Sequence, residues 1–310
     1  MRLDLLAILS GVMIALQART NGELSSRLDN GLEAALVSFG SGLILITLAS
    51  LFIPGIKTGA VKLRSAVRAK SLPAWRLLAG MLGGSFVAIQ TQMVPLIGVA
   101  IYSVASIAGQ TVASLGVDRL GMTGGGKKHI TFRRVLAAGF TILAVLLSVL
   151  DRIDARNLSL YAVSLAGLAG AIVGFQRAFN GQINEFTEQS FTTSLLNFIT
   201  GTTFLLFFSI LGILTHRTHF VSLPFGPWWI YTGGAIGVVY IAFSSTIVQH
   251  LGVLTFTLLS VGGQLVGSLL IDYFAPTASV HISWYLVTGI LMTYFGVLVG
   301  GTNHLRLARK

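Results

Sequence analysis

Three long stretches of the chain contain no Asp, Glu, Lys or Arg. They are residues 77–117, 218–271 and 273–305. Each is longer than the run of about 20 apolar residues that crosses a bilayer core about 30 Å thick. Only 10% of the 310 residues are charged, against about 25% in soluble globular domains. The sequence therefore predicts an all-α polytopic membrane protein.

Apolar runs and turn residues predict ten transmembrane helices. The predicted spans are 3–22, 32–53, 74–94, 97–117, 132–150, 158–180, 191–214, 228–249, 251–272 and 282–302. Pro95 is expected to separate the third span from the fourth, because proline lacks the N–H that a helix interior uses.

Basic residues predict the orientation of these spans. With the N-terminus in the cytoplasm, the inner segments, including Arg177, hold 16 Lys and Arg residues, and the outer segments hold 5. Cytoplasmic loops of membrane proteins are enriched in Lys and Arg, so both termini are predicted to be cytoplasmic. The net charge of +11 is explained by these loops, and no nucleic-acid partner is expected.

The chain also repeats itself. The pattern Gln17-x-x-x-Asn21-Gly returns as Gln176-x-x-x-Asn180-Gly, at an offset of 159 residues. Residues 98–118 and 252–272, at an offset of 154, share nine identities in 21 positions. Residues 1–151 and 152–310 are therefore predicted to be two repeats. With five helices in each, the second enters the membrane inverted, an arrangement that places a substrate site near the midplane.

Polar residues recur at helical spacing within these apolar spans. Gln110, Ser114 and Asp118 lie four residues apart and share one helix face. A buried amide without a partner costs about 1–3 kcal/mol, so such side chains are predicted to line a substrate path; the alternative is that they join helices. The predicted substrate-binding residues are Gln17, Asn21, Gln90, Gln110, Ser114, Gln176, Asn180, Asn197, Gln264 and Ser268.

Asp118 and Asp272 end their predicted helices, where a carboxylate opposes the helix dipole. Each is expected to pair with a neighbouring loop or helix N-terminus and to serve as a structural or gating contact. No Asp or Glu falls in the middle of a predicted span, which favours a small neutral or zwitterionic solute. No metal site, no cofactor and no cluster of catalytic groups is expected.

At these residues the sequence resembles the drug/metabolite transporter superfamily and, within it, the YdcZ-like branch of inner-membrane exporters in a fused two-repeat form. The motifs are Gln17-x-x-x-Asn21-Gly and Gly109-Gln110-x-x-x-Ser114-x-x-x-Asp118, each present twice. The resemblance implies a cavity among the first, third, fourth, sixth, eighth and ninth helices. It also implies a bacterial inner membrane and peripheral fifth and tenth helices that could form a homodimer.

Our hypothesis from the sequence is a secondary transporter, an exporter, that moves a small organic metabolite by alternating access. A first alternative is a proton-coupled exporter of aromatic or guanidino-like cations that uses Asp118 or Asp272. A second alternative is a membrane scaffold or assembly partner without transport activity.

Overall fold

The computed structural model describes residues 3–122, 130–148, 160–216, 218–251, 253–275 and 283–301. Every regular element among them is helical. The α-helices are α1 (Leu3–Leu28), α2 (Gly31–Phe52), α3 (Pro54–Arg68), α4 (Ala79–Leu120), α5 (Phe132–Ser148), α6 (Leu160–Thr187), α7 (Ser190–Leu214), α8 (Gly233–Leu251), α9 (Val253–Phe274) and α10 (Trp284–Gly301). Short 3-10 turns at Ala74–Leu78 and Trp228–Tyr231 precede α4 and α8.

Six helices within the described residues are long and apolar enough to cross a membrane. They are Leu3–Leu28, Gly31–Phe52, Ala74–Leu120, Leu160–Thr187, Ser190–Leu214 and Gly233–Leu251. Shorter apolar helices run over Val135–Ala144 and Leu259–Phe274. Large apolar side chains such as Leu51 on α2 and Phe207 on α7 are exposed, as expected of surfaces that face lipid. The fold is that of a helical, multi-pass membrane protein.

One helix, α3, lies where the sequence predicted a loop. Its buried residues Ile56, Gly59, Leu63 and Ala66 follow a helical spacing, so α3 has one apolar face. The exposed residues of α3 include Lys57, Lys62 and other cations. A search for uninterrupted apolar runs misses α3 because charged residues alternate with apolar ones along it.

The break within α4 is also displaced from its predicted position. The helix continues through Pro95, and the backbone leaves helical geometry at Gly98, with φ 79° and ψ 167°. Proline fixes φ near −65°, which a helix accepts, whereas only glycine adopts a positive φ at little cost. The predicted break at Pro95 is therefore wrong, and Gly98 divides α4.

The two parts of α4 run in opposite directions. The first part follows α7 in the same direction, and the second part follows α6 in the same direction. The close approaches are Gly80 with Asn197, Gly84 with Gly201, Ser106 with Gly170, and Ala113 with Gly174. Because α6 and α7 are joined by the short turn at Glu188 and Gln189 and pair through Asn180 and Asn197, they are antiparallel. The chain therefore reverses near Gly98.

Two helix crossings use equivalent residues of the two repeats. At the crossing of α1 and α9, a Cβ atom added to Gly11 would lie 2.0 Å from the carbonyl oxygen of Ser260. At the crossing of α4 and α6, a Cβ added to Gly170 would lie 1.9 Å from the carbonyl oxygen of Ser106. Gly170 is Gly11 plus the offset of 159, and Ser260 is Ser106 plus the offset of 154. Glycine allows the same close backbone approach in both places.

Helices α5 and α10 pack against each other. The rings of Phe140 and Phe295 meet edge to face with centroids 5.3 Å apart. A Cβ on Gly296 would lie 2.7 Å from Cβ of Phe140. Part of the surface that the family resemblance assigned to a homodimer is thus occupied by contacts within the chain.

Candidate functional site

An aromatic pair lies where α2 crosses α7. The ring centroids of Phe39 and Phe198 are 5.0 Å apart, and both side chains are buried. Each ring covers a glycine of the opposite helix: a Cβ on Gly42 would lie 2.2 Å from the Phe198 ring, and a Cβ on Gly201 would lie 2.3 Å from the Phe39 ring. Phe198 lies beside Gly237, which contacts Gln17, and Phe39 lies beside Gly83, which contacts Gln176. The pair therefore lies between two groups of buried amides.

The first cluster joins α1 to α4 and α8. Gln17 Nε2 donates a hydrogen bond of 3.1 Å to the carbonyl oxygen of Gly233. Asn21 Nδ2 donates one of 3.3 Å to Gln90 Oε1. All three amide side chains are buried. The structure thus brings together three of the residues predicted from the sequence.

The second cluster joins α6 to α7. Gln176 Nε2 donates a 3.0 Å hydrogen bond to Asn197 Oδ1. Asn197 Nδ2 in turn donates to Asn180 Oδ1 at 2.7 Å and to the carbonyl oxygen of Thr193 at 2.9 Å. Three further predicted residues therefore form one network. Asn197 is its centre, with both ends of its amide bonded.

The other predicted residues on α4 and α9 do not join these networks through direct hydrogen bonds. Gln110 Nε2 donates to Ser106 Oγ at 2.9 Å on its own helix. The hydroxyls of Ser114 and Ser268 donate to backbone carbonyls one turn back. Neither polar atom of the buried Gln264 side chain has a protein partner in the described part of the chain.

Several other buried polar atoms on the same helices also lack a partner among the described residues. Those on the two parts of α4 are Gln90 Nε2, Tyr102 Oη, Ser103 Oγ and Gln110 Oε1. Buried polar groups are nearly always hydrogen-bonded to protein or to ordered water. Such a concentration on one helix is therefore expected where a helix meets solvent or a solute during function.

Asp272 caps the second part of α4. Its carboxylate accepts hydrogen bonds from the backbone N–H groups of Val99 at 3.4 Å and Ala100 at 2.7 Å. These N–H groups follow the break at Gly98, where a helix start has donors without helical partners. Asp272 therefore contacts a helix N-terminus, which is the type of partner expected for it. Asp118, at the related position, is also buried and has an interaction of its own.

Arg177 was counted with the inner segments because it lies near the end of the sixth predicted span, but the structure places it well inside α6. The sixth span was predicted to end at residue 180, but α6 continues to Thr187. The Arg177 side chain is 1% exposed. Nε donates to Tyr240 Oη at 2.9 Å, one terminal nitrogen donates to Thr257 Oγ1 at 3.0 Å, and the guanidinium lies 4.8 Å from the centroid of the Phe256 ring.

The two ends of the helical core are fastened by different contacts. At the turn between α1 and α2, Asn30 Nδ2 donates to Thr218 Oγ1 at 3.0 Å, and Glu33 accepts from the backbone N–H of Val221 at 3.1 Å. At the related turn between α6 and α7, Thr192 Oγ1 donates to the carbonyl oxygen of Ile56 at 3.0 Å. The first contact holds an extended segment, and the second holds α3.

Lys62 on α3 also forms an ion pair with Glu188 in the turn between α6 and α7. The Lys62 ammonium donates a hydrogen bond to the carboxylate and adds its positive charge. Both effects lower the pKa of Glu188 below its ordinary value. Within the described part of the chain, no three His, Asp or Glu side chains are grouped so that they could hold a metal ion.

Comparisons with known proteins decide the family. The family model described as "Putative inner membrane exporter, YdcZ" matches residues 3–147 and again residues 161–299. The chain belongs to the YdcZ family. The two matches correspond to the two repeats, so the resemblance identified from Gln17, Asn21 and the Gly-Gln-to-Asp motif is confirmed, including the fused form.

A structural comparison finds the same overall fold in a solved structure. One solved crystal structure of a protein has a TM-score of 0.60 with this chain at 14% sequence identity, over 98% of this chain and 97% of that one. No curated protein matches the chain.

Membership of the YdcZ family places the chain among inner-membrane exporters of the drug/metabolite transporter superfamily. The description of the YdcZ family is that of a transporter.

Proposed function

We propose that this protein is a secondary transporter that exports a small organic metabolite by alternating access around the two amide clusters. In this proposal, residues 1–151 and 152–310 are inverted halves, each crossing the membrane five times, with both termini in the cytoplasm. The substrate path passes the Phe39–Phe198 pair.

The observation that carries the proposal is the repetition of the amide contacts on the two sides of the Phe39–Phe198 pair. A Cβ on Gly237 would lie 2.7 Å from Gln17 Nε2, and a Cβ on Gly83 would lie 2.2 Å from Gln176 Nε2. Gly237 is Gly83 plus 154, and Gln176 is Gln17 plus 159. Two equivalent contacts around one centre are what an inverted repeat produces at a midplane site.

The length of α4 supports the number of crossings. The apolar segment Ala74–Leu120 has 47 residues, which is about 70 Å of helix at 1.5 Å per residue. A bilayer core is about 30 Å thick. Since the segment reverses near Gly98, it supplies two crossings. The described helices then provide the ten crossings of the proposal, with α3 outside them.

Two contacts flank α7, one near each end of the helix. In the proposal, one breaks in the inward-open state and the other breaks in the outward-open state. Lys62 pairs with Glu188 next to the start of α7, and Thr218 pairs with Asn30 beyond its end. The 25 residues of α7 span about 37 Å. In the proposal, the Lys62 contact closes the cytoplasmic side and the Thr218 contact closes the outer side.

Labelling from each side of the membrane tests the topology. The chain contains no cysteine, so Lys62→Cys and Thr218→Cys can each be made in the natural background. An impermeant thiol reagent added to intact cells should label the Thr218→Cys protein. The Lys62→Cys protein should be labelled only after the membrane is opened. Labelling of both variants from the same side would overturn the inverted arrangement.

A transport assay tests the function. The purified full chain in liposomes should move at least one compound of a broad metabolite panel, and Gln17→Ala and Gln176→Ala should each slow it about tenfold if one hydrogen bond worth about 1.4 kcal/mol is lost. Ser50→Ala, which changes an exposed hydroxyl of α2, is the matched control and should transport normally. No flux with any compound, together with an intact cellular role in both Gln variants, would support a scaffold instead.

The proton-coupled cation exporter makes a different prediction. It requires Asp118 or Asp272 to gain and lose a proton, whereas the Asp272 carboxylate is held by two backbone N–H groups. Flux that is unchanged by a proton gradient and by Asp118→Asn would exclude this alternative.

A further inference from the structure

Arg177 is a buried cation whose bonds leave part of the guanidinium free. Nε and one terminal nitrogen are bonded to Tyr240 and Thr257, but the other terminal nitrogen, Nη2, has no partner among the described residues. Among all the described residues, ion pairs join Arg19 to Glu23, Arg27 to Glu23 and Lys62 to Glu188. None of them includes Arg177. Its positive charge is therefore not neutralised by a carboxylate of the described chain.

A buried charge of this kind lowers the stability of the protein and is therefore expected only where it serves a function. A charged side chain in the centre of a membrane helix costs about 3 kcal/mol or more, and such residues face a protein interior and mark substrate or ion pathways. The ring of Phe256 offsets part of this cost through its contact with the guanidinium. The fold itself does not require a cation here, because the related position of the first repeat, 159 residues earlier, is Ala18.

The groups around Nη2 can hold an anion. Nη2 can donate two hydrogen bonds. The Tyr240 hydroxyl accepts a bond from Nε, so its own proton remains available for donation. Two donors, one of them charged, thus lie close together in a buried position, which is a geometry suited to a carboxylate.

This group of donors adjoins the amide clusters. On α8, Tyr240 is three residues from Gly237, which packs against Gln17, so the two positions are neighbours on one helix face. On α9, Thr257 and Gln264 are seven residues apart and share a face, and neither polar atom of Gln264 has a partner in the described chain. A solute bound between the clusters would therefore have the guanidinium at one end and unpartnered amides near the other.

We propose that the exported solute carries a carboxylate, and that this group binds to Arg177 Nη2 and the Tyr240 hydroxyl. This inference rests on the proposed transport function and specifies the class of substrate. It excludes the uncharged solute allowed by the sequence, retains the zwitterion and adds simple organic anions. It also excludes a purely cationic substrate at this position, because two cations would repel each other in a medium of low polarity.

The test uses the full chain in liposomes with pairs of compounds that differ in one group. Each pair is a small organic carboxylate and its primary amide, and inorganic phosphate and chloride are added as separate arms. The variants are Arg177→Gln, which removes the charge, and Tyr240→Phe, which removes only the hydroxyl. Arg19→Gln is the control, since it also removes one cation, but one already paired with Glu23.

For at least one pair, the wild type should move the carboxylate at least tenfold faster than the amide, a difference of about 1.4 kcal/mol. Arg177→Gln should abolish this preference, Tyr240→Phe should reduce it several-fold, and Arg19→Gln should retain it. If Arg177→Gln does not fold, the reduced preference for the carboxylate in Tyr240→Phe tests the proposal instead.

Other outcomes separate the two proposals. Equal rates for carboxylate and amide, or a preference that persists in Tyr240→Phe and Arg177→Gln, would overturn the carboxylate inference while leaving the transporter intact. Competition by phosphate or chloride as strong as that by the organic carboxylates would also overturn it. If no compound in any arm is moved, the proposed transport function itself fails.

Discussion

The surroundings of Arg177 in the second repeat and the related place in the first repeat have nearly the same aromatic side chains, but only the second holds a charge. In the second repeat, Tyr240 and Phe256 enclose Arg177. At the related positions of the first repeat, Phe86 and Tyr102 lie with ring centroids 6.3 Å apart. Each pair thus has one tyrosine and one phenylalanine, but in exchanged places: Phe86 corresponds to Tyr240, and Tyr102 corresponds to Phe256.

The remaining members follow the same pattern. Thr257, which accepts from Arg177, corresponds to Ser103, whose hydroxyl has no partner among the described residues. Tyr102 Oη has none there either. The two repeats thus share their glycine-mediated helix crossings but differ in the polar side chains that lie between the helices. The second repeat holds a charge and the groups that bind it, whereas the related positions of the first repeat hold neutral hydroxyls.

The largest effect is expected where the frame itself is changed. Gly170→Val and Gly11→Val should each destabilise the protein by about 3 kcal/mol, because overpacking a close contact costs about 1–3 kcal/mol and more when backbone must move. The measurement is unfolding in detergent with increasing denaturant. Gly40→Ala is the control, since nothing lies within 4 Å of its added Cβ. Tolerance of Val at only one of the two sites would show that the frame is not shared.

The next prediction concerns the two hydroxyls. Tyr240→Phe should cost about 2 kcal/mol of unfolding free energy, since it leaves a buried N–H of a charged group without its acceptor. Tyr102→Phe removes a buried hydroxyl without a partner in the described chain and should be neutral or slightly stabilising. The same unfolding measurement compares them. Equal costs at the two positions would contradict the proposed divergence.

A smaller effect is expected for the helix cap. Asp272→Ala should lower stability by about 1–2 kcal/mol, which is the usual cost of losing a capping side chain. Asp272→Asn keeps an acceptor and should cost less. Hydrogen exchange at the amides of Val99 and Ala100 should increase in Asp272→Ala, and unchanged exchange there would mean that the cap is not needed.

The smallest effect concerns pH at the exposed turns. The pKa of Glu188 is lowered by the Lys62 hydrogen bond and charge, so the pair stabilises the folded state above the ordinary glutamate pKa of about 4.3. That contribution is lost as the pH falls through the lowered value in the folded protein. Thermal midpoints of wild type and Glu188→Gln should therefore differ slightly at about pH 7 and converge at about pH 3.

The related residue of the first repeat is the control for this pH effect. Asp29 is exposed and forms no ion pair with another described residue. Asp29→Asn should show no comparable convergence with pH. A convergence as large as that of Glu188→Gln would mean that the effect does not come from Lys62.

Much of the helical frame could be predicted from the sequence, because apolar runs without charge determine membrane helices almost alone. The spans 32–53 and 191–214 differ from α2 and α7 by at most one residue at either end. Helix α3 was missed since it is amphipathic, although the spacing of Ile56, Gly59 and Leu63 could have indicated it.

The residues of the two amide clusters could be predicted from the sequence, but the hydrogen bonds between them could not. Recurring amides indicated Gln17, Asn21, Gln176 and Asn180, but nothing in the sequence specified that Asn197 would bond to both amides of α6. Arg177 was missed because a single cation near a helix end is typical of a cytoplasmic loop. Its alignment with Ala18, which lies inside the first predicted span, was the available signal.

The cap on α4 has a consequence for how the protein is made. The N–H groups of Val99 and Ala100 are satisfied by a carboxylate that the ribosome adds 173 and 172 residues later. Likewise, the guanidinium on α6 meets Tyr240 and Thr257 only after α8 and α9 have emerged. During synthesis, the polar groups of the early helices must therefore be bound by the insertion machinery or by water until the last third of the polypeptide has been made. Expressed alone, the first repeat would lack the Asp272 carboxylate, and the second repeat would lack the two N–H groups that this carboxylate binds.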